Sequence, residues 1–235
     1  MTATSKRPFP PLRPTSTAEP SIIRRNDWSA FRELTELDDH WTLKGWASGR
    51  SGYYWYLTFS DPALADLASE CQVQLGTDTL DPVPLNSLHL TLLSIGNTDQ
   101  VPDAELARLT HLAHQQLAGF KSFDLSVGPL AGSRSAVRFS VAPWEPLLDL
   151  HRSLRECTLT IRPSSRLTET SEFRPHLGIA YINKQQTANG LVDAVRQLRE
   201  LAPVTVRVDN VHLVELRRDG RKYVWRDQAV IPLDG

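Results

Sequence analysis

Residues 87 to 96 read SLHLTLLSIG, a leucine-rich run with the length and composition of a buried β-strand. Two polar side chains, His89 and Thr91, interrupt this run at a spacing of two. Because successive side chains of a strand point to opposite faces, one face is predicted to carry His89, Thr91 and Leu93, and the other only leucines. A buried polar group is costly unless it finds a partner. The pattern therefore predicts either two satisfied core groups or a strand face that lines a cleft.

A second stretch repeats this pattern far along the chain. Residues 173 to 181 read FRPHLGIAY, and by alternation His176 and Gly178 share a face with Arg174. Both stretches contain the order histidine, apolar, small, apolar (HLTL and HLGI). Strict alternation places Tyr181 on the face away from His176, unless a bulge intervenes. In a pseudo-twofold arrangement, the two histidines would face each other across a groove.

The surrounding chain alternates between strand and helix signals. Apolar and β-prone runs bounded by turn residues predict strands over residues 53–60, 88–95, 173–182, 204–216 and 223–231, with a pair of strands within 123–141. Caps, prolines and helical spacing predict helices over residues 28–37, 61–75, 103–118, 145–159 and 188–201. Because hairpins are mixed with helices, this order favours an α+β fold over a doubly wound parallel sheet. Its partial repetition in the second half suggests two related lobes.

Composition narrows the function classes. The formal net charge of −1 over 235 residues gives no long-range attraction to nucleic acid, although a small anionic ligand is compatible with it. Cys71 and Cys157 form no CxxC pair, which argues against a disulfide framework or a zinc ribbon and suits a reducing cytoplasm. No segment is long and apolar enough for a membrane span, and the start, MTATSKRP, lacks the apolar core of a secretory signal. We expect a cytoplasmic monomer.

The domain organisation follows from the Pro/Ser/Thr-rich beginning of the chain. Residues 1–26 are predicted to be a disordered tail because they cannot bury enough apolar surface to offset the entropy of ordering. Residues 27–235 are predicted to form a single bilobal domain.

The two histidine motifs resemble those of the 2H phosphoesterases, which include 2′-5′ RNA ligase-like proteins and cyclic phosphodiesterases. That family carries two His-x-Thr/Ser-x motifs, one on each pseudo-symmetric lobe, and the resemblance covers about residues 53 to 233. His89 and Thr91 match the first motif completely. In the second motif, Gly178 stands two residues after His176, where the family has Thr or Ser. The resemblance implies two mainly antiparallel sheets around a central groove with outer helices, and a ring-opened product that keeps its phosphate on the 2′ oxygen.

The chemistry of such a site can be argued from the residues themselves. Opening a 2′,3′-cyclic phosphate needs a base that takes a proton from water and an acid that protonates the departing ribose oxygen. With an ordinary pKa of about 6.5, one imidazole can be neutral while another is protonated. We therefore predict His89 and His176 as the catalytic pair, with Thr91 donating to a phosphate oxygen. The scheme needs no metal and no cofactor, and the sequence does not say which histidine is the acid.

Gly178 leaves the second phosphate contact open, because glycine has no hydroxyl. Ser87, Arg174 or a backbone N–H can replace the missing donor, and a guanidinium is well shaped for phosphate. Ser87, Arg174 and Tyr181 are therefore candidate substrate contacts, and Gly178 remains part of the phosphate-binding motif. Tyr181 is a candidate because aromatic rings stack on nucleobases.

The predicted partner is a nucleotide or RNA end that carries a cyclic or 2′-5′ phosphodiester. Four readings stay open: a phosphodiesterase, a nucleotide- or RNA-binding module without turnover, a reversible 2′-5′ RNA ligase, and a tailoring enzyme for a cyclic-phosphate metabolite. Gly178 is the main support for the second reading.

Overall fold

The computed structural model describes residues 12–47 and 49–235. In this part of the chain, the helices are α1 (Pro20–Arg32), α2 (His40–Lys44), α3 (Pro62–Leu75), α4 (Asp103–Leu117), α5 (Glu145–Ile161) and α6 (Asn189–Leu198). The strands are β1 (Glu36–Leu37), β2 (Ser51–Thr58), β3 (Leu80–Pro82), β4 (His89–Asn97), β5 (Phe123–Ser133), β6 (Ala136–Ala142), β7 (Leu177–Ile182), β8 (Gln186–Thr187), β9 (Val204–Val208), β10 (Asn210–Asp219) and β11 (Lys222–Pro232).

Two antiparallel sheets organise these strands. The first sheet has the order β11-β10-β2-β4, the second has the order β3-β7-β6-β5-β9, and β1 pairs separately with β8. Helices α4 and α5 contact the first sheet, whereas α3 and α6 contact the second. The predicted bilobal α+β class with two antiparallel sheets and outer helices is confirmed. The two motif strands, β4 and β7, contact each other between the sheets.

The helices begin where the sequence signals place them. The Asp61 carboxylate accepts a hydrogen bond from the Leu64 N–H at 3.1 Å, and Pro62 occupies the first turn of α3, as the Asp-Pro signal predicts. The buried residues of α3 recur at helical spacing: Leu64, Leu67, Ala68 and Cys71. The apolar stripe of this helix therefore faces the core.

A β-bulge interrupts each motif strand at the third residue after its histidine. In β4, Thr91 pairs with Tyr56 and Leu93 with Trp55, so Leu92 is the extra residue. This bulge turns Leu93 into the core beside Trp55, and the prediction that Leu93 shares the face of His89 is wrong.

The bulge of the second motif strand has the opposite consequence for a candidate residue. Gly178 pairs with Arg138 and Ala180 with Val137, so Ile179 is the extra residue of β7. Tyr181 is therefore turned to the face of Gly178 rather than away from it. Two residues outside β7 stabilise this bulge: the Gln72 Nε2 and the Val83 N–H both donate hydrogen bonds to the Ile179 carbonyl at 2.8 Å.

Three other boundaries differ from the sequence prediction. Residues 1–11 of the predicted tail lie outside the described residues, but α1 begins at Pro20, so residues 20–26 belong to the fold. The predicted helix over 28–37 is wrong in its bounds, because α1 buries Ile23, Asp27 and Phe31 and ends at Arg32. The predicted strand over 204–216 breaks at Asp209, because β9 pairs with β5 while β10 pairs with β2 in the other sheet.

Close packing of α1 on β5 generates a stability prediction. A Cβ at Gly132 would overlap the ring of Phe31, whereas a Cβ at Gly178 would meet no atom within 4 Å. Gly132→Ala should therefore lower the free energy of unfolding in urea by about 1–3 kcal/mol, the usual cost of overpacking. Gly178→Ala is the matched control and should change it by less than about 0.5 kcal/mol. Equal effects of the two substitutions would contradict this packing of α1.

The connection between α5 and β7 is fastened by a buried histidine. His151 of α5 stacks on Phe173 at 4.5 Å, and its Nδ1 lies 2.9 Å from the Thr170 hydroxyl. Burial, with the charges of Arg155 and Arg152, lowers the pKa of His151 to about 4. This contact packs the loop that precedes His176 against α5.

The depressed pKa of His151 predicts acid sensitivity. Between pH 6.5 and about 4 the unfolded chain binds a proton at His151 that the folded protein does not. The resulting stability is fully present above pH 6.5 and is lost as the pH falls, by about 1.4 kcal/mol for each pH unit. His151→Phe should reduce the difference in unfolding free energy between pH 7 and pH 4.5. His111→Gln, at an exposed position on α4, should leave that difference unchanged. The same pH dependence in wild type and His151→Phe would contradict the prediction.

Candidate active site

Both motif histidines are fixed by the same hydrogen bond. The Nδ1–H of His89 donates to the Ser87 carbonyl at 2.9 Å, and that of His176 donates to the Arg174 carbonyl at 2.8 Å. A carbonyl can only accept, so the neutral ring carries its proton on Nδ1 in both cases. Each imidazole therefore has Nε2 as the nitrogen that takes or gives a proton.

The fold brings these two histidines together, although they are far apart in the chain. His89 is the first residue of β4 and His176 immediately precedes β7, and these two motif strands contact each other between the sheets. They are close enough that the charge of His89 contributes to lowering the pKa of His176. Their catalytic role stays a prediction.

The environments of the two imidazoles differ. Burial lowers the pKa of His89, and the Ser87 carbonyl partly opposes that change. Burial, together with the positive charges of Arg138 and Lys44, lowers the pKa of His176 to about 3. By itself, the protein therefore holds both rings neutral near pH 7.

Thr91 lies next to His89 in the groove, as the alternation predicts. It pairs across the strands with Tyr56, whose hydroxyl is hydrogen-bonded to the Thr91 side chain. The Tyr56 ring stacks on His89 at 4.5 Å with an interplanar angle of 10°. Trp225 of β11 packs edge-on against both rings, at 5.1 Å from His89 and 5.5 Å from Tyr56.

Tyr56 and Trp225 are site residues that the sequence pattern does not reveal. Alternation in residues 53–56 (YYWY) places Tyr54 and Tyr56 on one face of a strand, but it does not say whether that face meets the groove. The pairing of β2 with β4 decides this, since Tyr56 lies opposite Thr91. Trp225 carries no local signal, because only the folding of the last hairpin brings it to His89.

A narrow pocket opens between the lobes beside His89. Its lining consists of Pro82, Val83, Pro84, Ser87, His89, Tyr181, Arg221, Lys222, Tyr223 and Trp225. Arg221 and Lys222, from the basic turn RRDGRK (residues 217–222), contribute two cations to this pocket. One of them is partly balanced, because Arg221 Nη1 lies 3.9 Å from Asp81 Oδ2.

The candidate contacts have different positions. Tyr181 lines the pocket and packs edge-on against Tyr223 at 5.4 Å. Ser87 also lines it, and its carbonyl orients His89. Arg174 supplies the carbonyl that orients His176, while its guanidinium lies over the ring of Trp144 at 6.0 Å.

A further histidine supports the aromatic wall. His40 is 4% exposed, its ring packs on Tyr181 at 4.2 Å, and its Nε2 lies 2.9 Å from the Tyr223 hydroxyl. Burial lowers the pKa of His40 to about 3, so it stays a neutral packing residue. Across residues 12–47 and 49–235, no group of three or more His, Cys, Asp or Glu side chains has the arrangement of a metal site, and no helix has the length and apolarity needed to span a membrane.

Comparison with known proteins agrees with this architecture. The crystal structure of TT0787 from Thermus thermophilus superposes with a TM-score of 0.60 at 19% identity, covering 79% of this chain and 98% of that one. Apo LigT from E. coli superposes with a TM-score of 0.59 at 16% identity, covering 80% of this chain and all of that one (100%). LigT with bound 3′-AMP gives a TM-score of 0.55 at 17% identity, with 79% and 99% of the two chains covered. LigT structures with NADP+ and ATP also match.

Sequence comparison gives a family but no individual relative. No curated protein matches the chain. The model of the 2′-5′ RNA ligase superfamily matches residues 59–220, which contain both histidine motifs, all of the second sheet, and strands β4 and β10 of the first. The resemblance inferred from the motifs is thereby confirmed, and the chain belongs to the 2′-5′ RNA ligase superfamily of 2H phosphoesterases.

Proposed function

We propose that this protein is a metal-independent phosphodiesterase that opens 2′,3′-cyclic phosphates or cleaves 2′-5′ phosphodiesters on nucleotides or RNA ends. The observation that carries the proposal is the matched pair of imidazoles, each with its Nδ1–H bound to a carbonyl two residues earlier. Two such rings beside one phosphorus provide a base for the attacking water and an acid for the leaving oxygen.

The unequal surroundings of the two rings suggest their roles. Arg138 and Lys44 oppose a positive charge on His176, which favours His176 as the neutral base. The lowered pKa of His89 comes from burial rather than from a neighbouring cation, and the face of the Tyr56 ring stacks on it, which favours His89 as the acid. An anionic phosphate beside His89 would raise its pKa, so substrate binding would charge the acid. Thr91 would donate its hydroxyl to a phosphate oxygen.

The pocket wall supports a nucleotide as the substrate. Tyr181, Tyr223 and Trp225 offer ring faces for a base, while Arg221 and Lys222 offer positive charge for phosphate. The LigT complexes with NADP+, ATP and 3′-AMP are consistent with this substrate class. A cytoplasmic location and a monomeric state stay predictions.

The acid–base pair is tested by turnover of 2′,3′-cyclic AMP in the presence of EDTA, followed by chromatography. Wild type should form 2′-AMP. His89→Ala and His176→Ala should each lower kcat by about 10²–10⁴-fold, the usual contribution of general acid–base catalysis. His111→Ala removes an exposed histidine and should retain wild-type turnover. Near wild-type kcat in His89→Ala or His176→Ala would overturn the proposed mechanism.

The base contact is tested with two substrates, 2′,3′-cyclic AMP and the base-free ribose 2′,3′-cyclic phosphate. Trp225→Ala should raise KM about 5- to 150-fold for the nucleotide, because stacking contributes about 1–3 kcal/mol for each base. The same substitution should change KM for the base-free compound much less. Trp28→Ala, at a tryptophan packed on Phe31 rather than in the groove, is the control. Equal losses on both substrates would mean that Trp225 positions His89 rather than a base.

A binding module without turnover is the second candidate, and Gly178 favours it because the second motif lacks a hydroxyl. In that case, calorimetry would detect 2′-AMP binding while no variant or wild type forms product. Product formation that depends on both histidines would exclude it.

A further inference from the structure

The two lobes differ in the residues that pair across the strands beside each histidine. On the first lobe, Thr91 pairs with Tyr56 across the strands, two residues after His89. On the second lobe, Gly178 pairs with Arg138, two residues after His176. Because each motif strand has its bulge at the third residue after the histidine, the two pairs occupy equivalent positions. A hydroxyl pair on one lobe thus corresponds to a glycine and a guanidinium on the other.

The glycine is not demanded by packing. A Cβ at position 178 would meet no atom within 4 Å, and the backbone there lies outside the left-handed region that favours glycine. The groove therefore has free space where a motif hydroxyl would stand. A ligand oxygen can enter that space.

Arg138, which pairs with Gly178 across the strands, is held by a buried ion pair. It is 1% exposed, and its Nη2 lies 3.2 Å from Asp27 Oδ1. Asp27 is 1% exposed and also accepts a hydrogen bond from the Ser140 hydroxyl at 2.7 Å. Asp27 belongs to α1, which precedes the segment that matches the family model. A buried ion pair is weak evidence for stability, since desolvation offsets much of the attraction.

The positive charge of Arg138 acts on the imidazole of His176. It is one of the positive charges that keep His176 neutral, together with Lys44 and with the charge of His89 when protonated. In a water-poor groove, a fixed cation stabilises developing negative charge more strongly than in water. An anion over Gly178 would therefore lie within the field of Arg138.

We propose that Arg138 stabilises the phosphate charge on the second lobe in place of the hydroxyl missing at Gly178, and that Asp27 of α1 is its positioning residue. The ligand class is a phosphodiester or phosphate monoester whose oxygen occupies the space over Gly178. This inference rests on the proposed function. A purely structural ion pair, which only fastens α1 to β6, would leave ligand affinity and pH dependence unchanged.

The test compares the Asp27–Arg138 pair with the Asp38–Arg134 pair, whose arginine lies on the same β5–β6 hairpin. Asp27→Asn/Arg138→Gln removes both charges together and leaves no unpaired buried ion. The control, Asp38→Asn/Arg134→Gln, removes the pair in which Arg134 contacts Asp38 at 2.8 and 3.1 Å. Turnover of 2′,3′-cyclic AMP and calorimetric affinity for 2′-AMP are measured for each, after circular dichroism has shown the folded state.

The pair variant should lose about 10²–10³-fold in kcat/KM, the usual effect of removing one preorganised donor, and should bind 2′-AMP more weakly. Adding Gly178→Thr should restore at least tenfold of that loss, because the new hydroxyl fills the same space. Removing the charge of Arg138 should raise the pKa of His176, so the acid limb of kcat/KM moves to higher pH. The control pair should stay within about twofold of wild type, as expected away from the site.

Three outcomes would overturn the inference. Wild-type kcat/KM, 2′-AMP affinity and pH profile in the pair variant would leave only a structural role. If the pair variant does not fold, Asp27→Leu/Arg138→Met decides, because it replaces the ion pair by apolar side chains of similar volume. A lower kcat/KM that Gly178→Thr partly recovers is expected, and wild-type values would refute the role. If wild type does not turn over cyclic AMP, the proposed function fails. The 2′-AMP affinities then decide, and equal affinity in wild type and in the variants that fold would refute the role.

Discussion

The hydrogen bond from each histidine Nδ1–H to the carbonyl two residues earlier is the constraint on which the site depends. It requires the chain before each motif to turn so that the carbonyls of Ser87 and Arg174 face their rings. On the first lobe a short 3₁₀ turn, Leu85–Ser87, provides that turn. On the second lobe the loop packed on His151 leads to it. Without these bonds each ring could exchange tautomers, and the proton of the neutral ring would not be held on Nδ1.

The bulges convert two ordinary strands into the floor of a groove. A regular β7 would bury Tyr181 on the core face, and a regular β4 would direct Leu93 into the groove. The extra residues Leu92 and Ile179 reverse both outcomes. Tyr181 therefore joins the aromatic wall of the groove, and Leu93 packs in the core. Gln72 of α3 satisfies the carbonyl of the bulged residue Ile179, so an outer helix helps to define the shape of the site.

Much of this fold can be predicted from the sequence, because local signals determine it. The Asp-Pro cap of α3, the paired histidine strands and the α+β order depend on neighbouring residues alone. The break at Asp209, which sends β9 and β10 to different sheets, depends on which strands they meet and has no local signal. The same limit applies to the site: His89, Thr91 and His176 follow from alternation, whereas Tyr56, Trp225 and Arg138 require the register between distant strands. The Pro/Ser/Thr-rich composition predicts that residues 20–26 belong to a tail, yet Ile23 is buried in the core and Arg24 donates hydrogen bonds to the Gly128 carbonyl and the Ser126 hydroxyl of β5.

The two lobes therefore share a backbone plan but differ in chemistry. The first lobe surrounds its imidazole with a hydroxyl and aromatic rings and lowers its pKa through burial rather than through a neighbouring cation, so a bound anion would raise that pKa again. The second lobe places a buried guanidinium next to its imidazole and leaves the motif side chain out, an environment that opposes a positive ring. A reaction that needs one proton donor and one proton acceptor gains from such a difference, because two identical histidines would compete for the same proton. In the division of roles that we propose, the cation of Arg138 on β6 supplies the electrostatic part of the second motif, at the position where Gly178 has no hydroxyl.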